Sequence, residues 1–208
     1  MPVKKQIPYS SGIYFITFTC TNWIPIFEKL NCYDIVYNWF DYLKSKGHLI
    51  NAFVIMPNHV HVIVSFRKTD KSINKIIGDG KRFMSYEIIK RLKINQYLDV
   101  LNQLKTSITQ SDKEKGKQHT VFEPSFDWKH LTRLDFITQK LDYIHQNPIK
   151  LNFSLEDENR SYQHSSAPDY GYAGKVQYPI FRIQDTFDIN LEINNSAESP
   201  AGDLSGES

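Results

Sequence analysis

The sequence predicts an α+β fold with the order strand, helix, strand, strand, helix, strand, helix. Two kinds of pattern support this prediction. Short runs of apolar and β-branched residues bounded by turn residues are typical of strands. Longer segments whose apolar residues recur every three or four positions are typical of amphipathic helices. With 208 residues, of which 40% are hydrophobic, the chain is long enough to bury one full core.

Composition excludes several functional classes. A net charge of +2 permits a nucleic-acid partner without indicating one, so any basic surface must be local. Two cysteines, Cys20 and Cys32, do not make a disulfide framework, and the first residues lack the apolar run of a signal peptide. No segment reaches the length of a membrane span. A cytoplasmic protein without a membrane partner is therefore expected.

The first half of the chain predicts a strand, a helix and a hairpin. The helix ends at Gly47, which is typical of a C-terminal cap, and the hairpin turns at Met56-Pro57-Asn58. The predicted segments are a strand over 12–21, a connection over 22–30, a helix over 32–46 and a hairpin over 49–66.

The second half of the chain predicts a long helix, a surface loop, a strand and a last helix. Glycines interrupt the long helix near its start, and Pro148 ends the last helix. The last helix should bury a stripe formed by Leu134, Ile137, Leu141 and Ile144. The predicted segments are a helix from Ile73 toward Leu104 with a break at Gly78 and Gly80, a loop over 106–120, a strand over 121–128 and a helix over 134–147. Residues 1–178 should form one domain and 179–208 a tail, disordered from about 194.

His59 and His61 are the candidate metal ligands. Side chains alternate between the two faces of a strand, so these two imidazoles project to the same side, next to a turn. Neutral imidazoles on one face can bind a divalent ion. A His-apolar-His triplet is a weak motif by itself, since ordinary surface or core histidines often produce it.

Tyr143 and Asn147 form a second candidate group. Residues four apart share one face of a helix, so a hydroxyl nucleophile and an amide oxygen lie side by side at the rim of the buried stripe. The plain alternative is that Tyr143 is one of 12 tyrosines and covers a helix rim.

Several basic and aromatic residues are candidate DNA contacts. Lys75, Lys81 and Arg82 lie near the glycine-containing segment and are predicted to contact a phosphate backbone, the alternative being a solvated helix face. The remaining predicted DNA contacts are Lys140, Lys150 and Trp128. Trp128 is predicted either to stack on an unpaired base or to belong to the core.

Two segments together resemble a known family. Met-Pro-Asn-His-Val-His-Val-Ile-Val at 56–64 and Tyr-Ile-His-Gln-Asn-Pro-Ile-Lys at 143–150 resemble the two signatures of the REP-associated tyrosine transposases, relatives of the single-tyrosine insertion-sequence transposases. Phe-Glu-Pro-Ser-Phe-Asp-Trp-Lys at 122–129 and Tyr-Gln-His-Ser-Ser-Ala at 162–167 are also similar to that family. The resemblance covers about residues 10–172.

The resemblance implies an HUH endonuclease domain with a ferredoxin-like, RRM-like antiparallel sheet that cuts and rejoins single-stranded DNA carrying REP-like hairpins. By this resemblance, His59, His61 and the side-chain oxygen of Asn147 hold Mg²⁺ or Mn²⁺, and Tyr143 forms a 5′-phosphotyrosine link. A phenol with an ordinary pKa near 10 is protonated at neutral pH, so the metal or Lys140 is expected to help remove its proton. Both a monomer and a homodimer are compatible with the family.

Three alternatives remain open at this point. The first alternative is a host-adopted module that binds DNA hairpins without cutting them. The second is a rolling-circle or conjugative initiator with the same chemistry, and the third is a histidine-triad nucleotide hydrolase. The last class needs a third histidine where Ile63 stands. The absence of an appended helicase and of a second nearby active-site tyrosine favours the transposase-like form over an initiator.

Overall fold

A four-stranded antiparallel sheet forms the centre of the molecule, with the strand order β2-β3-β1-β4. The computed structural model describes residues 6–108, 110–114, 116 and 118–185. The strands are β1 (Gly12–Thr19), β2 (Leu49–Met56), β3 (His59–Phe66) and β4 (Asp127–His130). The predicted α+β class and antiparallel sheet are confirmed.

Helices lie on both faces of the sheet, and short 3-10 turns lie between β1 and the first helix and after the last one. The helices are α1 (Ile26–Lys29), α2 (Asp34–Ser45), α3 (Ile73–Ile94), α4 (Leu98–Thr106), α5 (Gln110–Glu114) and α6 (Leu134–Gln146). The 3-10 turns cover Thr21–Trp23, Asn147–Leu151, Glu158–Arg160 and Ala167–Tyr170. The predicted loop over 106–120 therefore contains a short helix, α5, which its polar composition concealed.

The sheet separates two apolar cores. On β3, Val60, Val62 and Val64 belong to the larger core, to which α2 and α3 also contribute. Ile63 belongs to the smaller core with residues of α6. We call the second side the α6 face. Because side chains alternate along β3, His59 and His61 share the α6 face with Ile63.

The predicted break at Gly78 and Gly80 is wrong, since α3 runs without interruption through both glycines. A Cβ atom at Gly80 would clash with the indole nitrogen of Trp39 on α2. Gly80 therefore lets two helices approach closely and does not interrupt α3. The long predicted helix instead divides at Gln96, whose φ of 57° is left-handed.

Two further local predictions are wrong. The sequence predicts the fourth strand over 121–128, whereas β4 covers Asp127–His130, so only two residues overlap, and Phe122 makes an isolated bridge with Cys20. Leu134 was predicted to be buried with the stripe of α6, but it is 64% exposed at the first turn. The other three members of that stripe are buried as predicted.

The segment after α6 covers the exposed edge of β2. Ser165 forms an antiparallel bridge with Val54, and the amide of Ile55 donates to the carbonyl of His164 at 2.8 Å. Ile183 is 1% exposed, so packing continues past the predicted domain boundary at 178. An open strand edge invites pairing with other chains, and this segment closes it. The predicted disorder from about 194 lies outside the described residues.

Both cysteines, Cys20 and Cys32, are free thiols that lie buried in the fold. Burial raises the pKa of Cys32 to about 12, so this thiol stays protonated at neutral pH. Among the described residues, no helix combines the length and the apolar character needed to cross a membrane.

Candidate active site

Four aromatic rings meet on the α6 face. The ring centroids of His59 and His61 on β3 are 4.7 Å apart, and the ring of Tyr143 on α6 lies 5.1 Å from that of His61. Phe15 of β1 packs against both His61 and Tyr143, with centroid distances of 5.5 and 5.9 Å. The histidine pair from the hairpin and the tyrosine from the last helix, separated widely in sequence, thus lie in direct contact.

Two amides flank the imidazole of His59. The side-chain oxygen of Asn58, the turn residue just before β3, lies 2.7 Å from Nδ1 of His59. An amide oxygen only accepts, so Nδ1 carries the proton and Nε2 presents a lone pair. The Asn147 side chain is close enough to hydrogen-bond with the same imidazole. The predicted grouping of Asn147 with the histidine pair is therefore present in the structure.

His61 is oriented by Thr17 of β1. The Thr17 hydroxyl lies 2.6 Å from Nδ1 of His61, across the β1·β3 pairing that places these two residues opposite each other. The other ring nitrogen, Nε2, is buried and makes no hydrogen bond. A buried polar atom without a partner is uncommon and calls for a ligand or a functional role. The sequence indicated no role for Thr17 and only a turn position for Asn58, because the contacts that both side chains make with the histidines depend on the folded structure.

Both histidines of the pair are neutral at physiological pH. Burial lowers the pKa of His59 to about 4, opposed by the hydrogen bond with Asn147 and reinforced by the positive charge of Lys150. Burial likewise lowers the pKa of His61 to about 3, and repulsion from His59 in its protonated form and from Lys150 and Lys140 acts in the same direction. Neutral imidazoles are the form that coordinates metal ions.

The site opens into a groove of about 870 Å³ between the β2-β3 turn and α6. Tyr143 is 42% exposed within it. The ammonium groups of Lys140 and Lys150 lie 5.4 and 6.0 Å from the centre of the Tyr143 ring. The nucleophile predicted from sequence is therefore accessible, and two predicted DNA-contacting lysines place positive charge beside it.

Two imidazoles and one amide can together hold a divalent ion. His59, His61 and Asn147 line one groove, and the buried Nε2 of His61, which makes no hydrogen bond, is an observation that a metal would explain. Within the described residues, no cluster of three or more His, Cys, Asp or Glu side chains offers a stronger metal site. Few protein donors leave coordination positions for water or phosphate, as is usual for Mg²⁺.

The architecture matches that of a solved protein of known type. The chain is similar to a REP-associated tyrosine transposase bound to a REP hairpin, with a TM-score of 0.51 and 16% identity over 100% of this chain and 96% of that chain. The fold is that of a REP-associated tyrosine transposase. A transposase-like protein from Deinococcus radiodurans R1 also matches, with a TM-score of 0.39 and 15% identity over 69% of this chain and 97% of that chain. No protein-family model and no curated protein matches the sequence.

In this transposase fold, the basic residues predicted on α3 lie away from the site. Helix α3 packs on the sheet face opposite to α6. Lys81 is only 8% exposed, and its ammonium donates to the carbonyls of Glu123 and Ser125 at 2.7 and 2.8 Å. These bonds fix the segment before β4 and argue against Lys81 as a phosphate contact. Lys75 and Arg82 are exposed but form ion pairs with Asp79 on their own helix.

Trp128 also lies on the wrong side of the sheet for the site. It pairs with Ile16 in the β1·β4 register and packs edge-on against Tyr14, at a centroid distance of 6.0 Å. Its partly buried indole packs against the larger core, so of the two predicted alternatives the structure favours the core over stacking on a base. Ile63, where a histidine-triad hydrolase needs a third histidine, is fully buried in the smaller core.

Proposed function

We propose that the protein cleaves and rejoins single-stranded DNA next to DNA hairpins through a covalent 5′-phosphotyrosine at Tyr143. The observation that carries this proposal is the contact between the accessible phenol of Tyr143 and the neutral imidazole of His61, which adjoins His59 and has a buried nitrogen without a hydrogen bond. The likeness to a transposase bound to a REP hairpin supports the choice of hairpin-bearing DNA.

Mg²⁺ or Mn²⁺ is the proposed cofactor, with His59, His61 and Asn147 as its protein ligands. When bound there, the ion supplies Lewis-acid polarisation of a phosphate oxygen. The Asn58 amide oxygen accepts from Nδ1 of His59, and the Thr17 hydroxyl bonds to Nδ1 of His61, so Nε2 of each imidazole is the nitrogen proposed to bind the ion.

The proposed covalent step forms one bond and breaks another. The phenolic oxygen of Tyr143 attacks phosphorus, and the bond between phosphorus and the 3′ oxygen breaks, leaving a 3′-OH and a 5′-phosphotyrosine. The phenol proton passes to solvent in the open groove, and the departing 3′ oxygen takes up a proton. A phenolate is a better leaving group than an alkoxide, so a 3′-OH of another strand can reverse the step and rejoin DNA.

Lys140 and Lys150 are proposed to hold the scissile phosphate beside Tyr143. Both ammonium groups lie over the face of the Tyr143 ring, and Lys140 also lies over Phe15. Their charges compensate the negative charge that grows on the phosphoryl group during attack, which is the usual role of such residues in phosphoryl transfer. In this arrangement Lys140 acts on the phosphate in addition to any help it gives to loss of the phenol proton.

The test is a denaturing gel assay on labelled single-stranded DNA from both flanks of the gene, with hairpins and with Mg²⁺ or Mn²⁺. We expect a covalent protein-DNA band for the wild type and none for Tyr143→Phe, which should keep hairpin affinity. Tyr86→Phe, an exposed tyrosine on the opposite side of the sheet, is the matched control and should retain the band.

Two outcomes of this assay would overturn the proposal. A covalent band that persists in Tyr143→Phe would assign the nucleophile elsewhere. Tight hairpin binding without any nicking, at all metal concentrations, would identify a module that binds and does not cut. His59→Ala should lose cleavage because it removes a proposed metal ligand.

A further inference from the structure

We propose that Trp23 is a stacking platform for an unpaired base next to the scissile phosphate. The proposal rests on the proposed function insofar as single-stranded DNA occupies the groove. The connection between β1 and α1, which carries Trp23, received no role from sequence analysis, and the aromatic residue predicted to stack, Trp128, lies across the sheet.

Trp23 is exposed at the end of the site opposite to Tyr143. Its side chain is 63% exposed, although a ring of this size usually buries most of its area. It lines the same groove and packs against His59 at a centroid distance of 5.7 Å with an interplanar angle of 73°. Tyr143 contacts His61, so the histidine pair lies between the nucleophile and Trp23.

The backbone holds Trp23 in this position at an energetic cost. Asn22 and Trp23 have φ values of 53° and 56°, so two consecutive residues other than glycine adopt a left-handed conformation. A bulky residue is rarely found there, and such conformations persist only where the surroundings enforce them. The amide of Asn22 donates to Glu123 Oε1 at 3.2 Å, and its side chain donates to the Ser107 hydroxyl at 2.9 Å.

Asn58 connects the platform to the metal-binding histidine. Its Nδ2 donates to the carbonyl of Trp23 at 3.2 Å, while its Oδ1 accepts from Nδ1 of His59 at 2.7 Å. One amide therefore sets both the Trp23 turn and the orientation of the His59 ring. This shared anchor keeps the stacking surface at a fixed position relative to the proposed metal.

An unpaired nucleobase fits this surface better than an apolar protein partner does. The groove combines an exposed indole at one end with the ammonium groups of Lys140 and Lys150 at the other. A single DNA strand presents the matching combination of flat bases and phosphates, and stacking of bases on aromatic side chains is tolerant of sequence. A strand whose phosphate lies at the histidine pair would place a neighbouring base on Trp23.

The test compares two labelled 16-nucleotide probes, a thymidine oligomer and a fully abasic oligomer of the same length, by fluorescence anisotropy on the full chain. Trp23→Gly removes the ring and tolerates the left-handed backbone. We expect it to weaken binding of the thymidine oligomer by about 5-fold or more, in line with the loss of one stacked base. Binding of the abasic oligomer should stay within about 2-fold, since phosphate contacts are unchanged.

Two further variants keep the test decisive. Trp23→Phe should retain most of the preference for bases, and Trp128→Phe, on the other face of the sheet, should behave like the wild type. If Trp23→Gly fails to fold, quenching of the native tryptophan fluorescence by the thymidine oligomer gives the answer, because it should vanish in Trp23→Phe. Quenching that persists in Trp23→Phe would overturn the proposal.

Failure of this inference is distinguishable from failure of the proposed function. A Trp23→Gly variant that loses affinity for both probes equally, or for neither, overturns the stacking role even if the covalent band at Tyr143 forms. A preference for bases that depends on Trp23 in a protein without any covalent band would support stacking and contradict cleavage. Loss of self-association in Trp23→Gly without a change in probe binding would assign this surface to a second copy of the chain, and would also overturn the stacking role.

Discussion

Replacing Thr17 with valine should weaken metal binding without removing any metal ligand. The hydroxyl of Thr17 is the partner of Nδ1 in the buried ring of His61, at 2.6 Å. In Thr17→Val, Nδ1 of His61 has no partner, and leaving a buried polar atom unpaired costs about 1–3 kcal/mol. The ring of His61 also loses the hydrogen bond that holds its orientation, so Nε2 is less well placed to bind a metal.

The expected loss in metal affinity is about 10- to 100-fold, the usual effect of removing a partner of a metal-ligating histidine. Titration with Mn²⁺, followed by the electron paramagnetic resonance signal of the free ion, measures it directly. Thr17→Ser is the matched control: it keeps the hydroxyl and should bind Mn²⁺ within about 3-fold of the wild type. Equal Mn²⁺ affinity in Thr17→Val and the wild type would refute the reasoning that this hydroxyl orients His61 for metal binding.

Three other predictions concern the stability of the fold. Gly80→Ala should lower the free energy of unfolding by about 1–3 kcal/mol, because its Cβ would overlap Trp39. Gly78→Ala, with open space around it, should raise that free energy by up to about 1 kcal/mol. Urea unfolding measures both, and equal effects would contradict the close helix contact. Lys81→Met should lower the free energy of unfolding by about 1–3 kcal/mol, because two backbone carbonyls lose their donor. Its affinity for single-stranded DNA should not change. A large loss of DNA affinity would show that Lys81 contacts DNA after all. Burial lowers the pKa of His145 to about 4, so the unfolded chain takes up a proton at this residue before the folded chain does as the pH falls. The contribution of His145 to stability is therefore complete above about pH 6.5 and declines by about 3 kcal/mol toward pH 4. His145→Gln should flatten that decline in urea unfolding measured at several pH values, and an unchanged decline would contradict the assignment.

The hairpin and the site residues on it could be predicted because they depend on local rules. Strand periodicity places His59 and His61 on one face whatever lies around them, and helical periodicity does the same for Tyr143 and Asn147. The pairing of β1 with β3, which brings Thr17 to His61, depends on contacts far apart in sequence. A single sequence carries no signal for such a contact, and Thr17 was missed for that reason.

The wrong predictions share one physical cause, which is that tertiary contacts outweighed local preference. Glycines usually disfavour a helix interior, but Gly80 is needed for the close approach of Trp39. Residues 121–128 have the composition of a strand, yet Lys81 binds two carbonyls in that segment and the pairing with β1 begins only at Asp127. Trp23 was overlooked because its left-handed turn depends on hydrogen bonds from distant parts of the chain.

The measurement that tests the central claim most directly is mass spectrometry of the protein after reaction with single-stranded DNA, followed by nuclease and protease digestion. If the accessible phenol beside the two neutral imidazoles is the nucleophile, the peptide that contains Tyr143 will carry a nucleotide linked through its 5′ phosphate. A nucleotide on any other residue, or unmodified Tyr143 in a sample that has cut its DNA, would contradict the account.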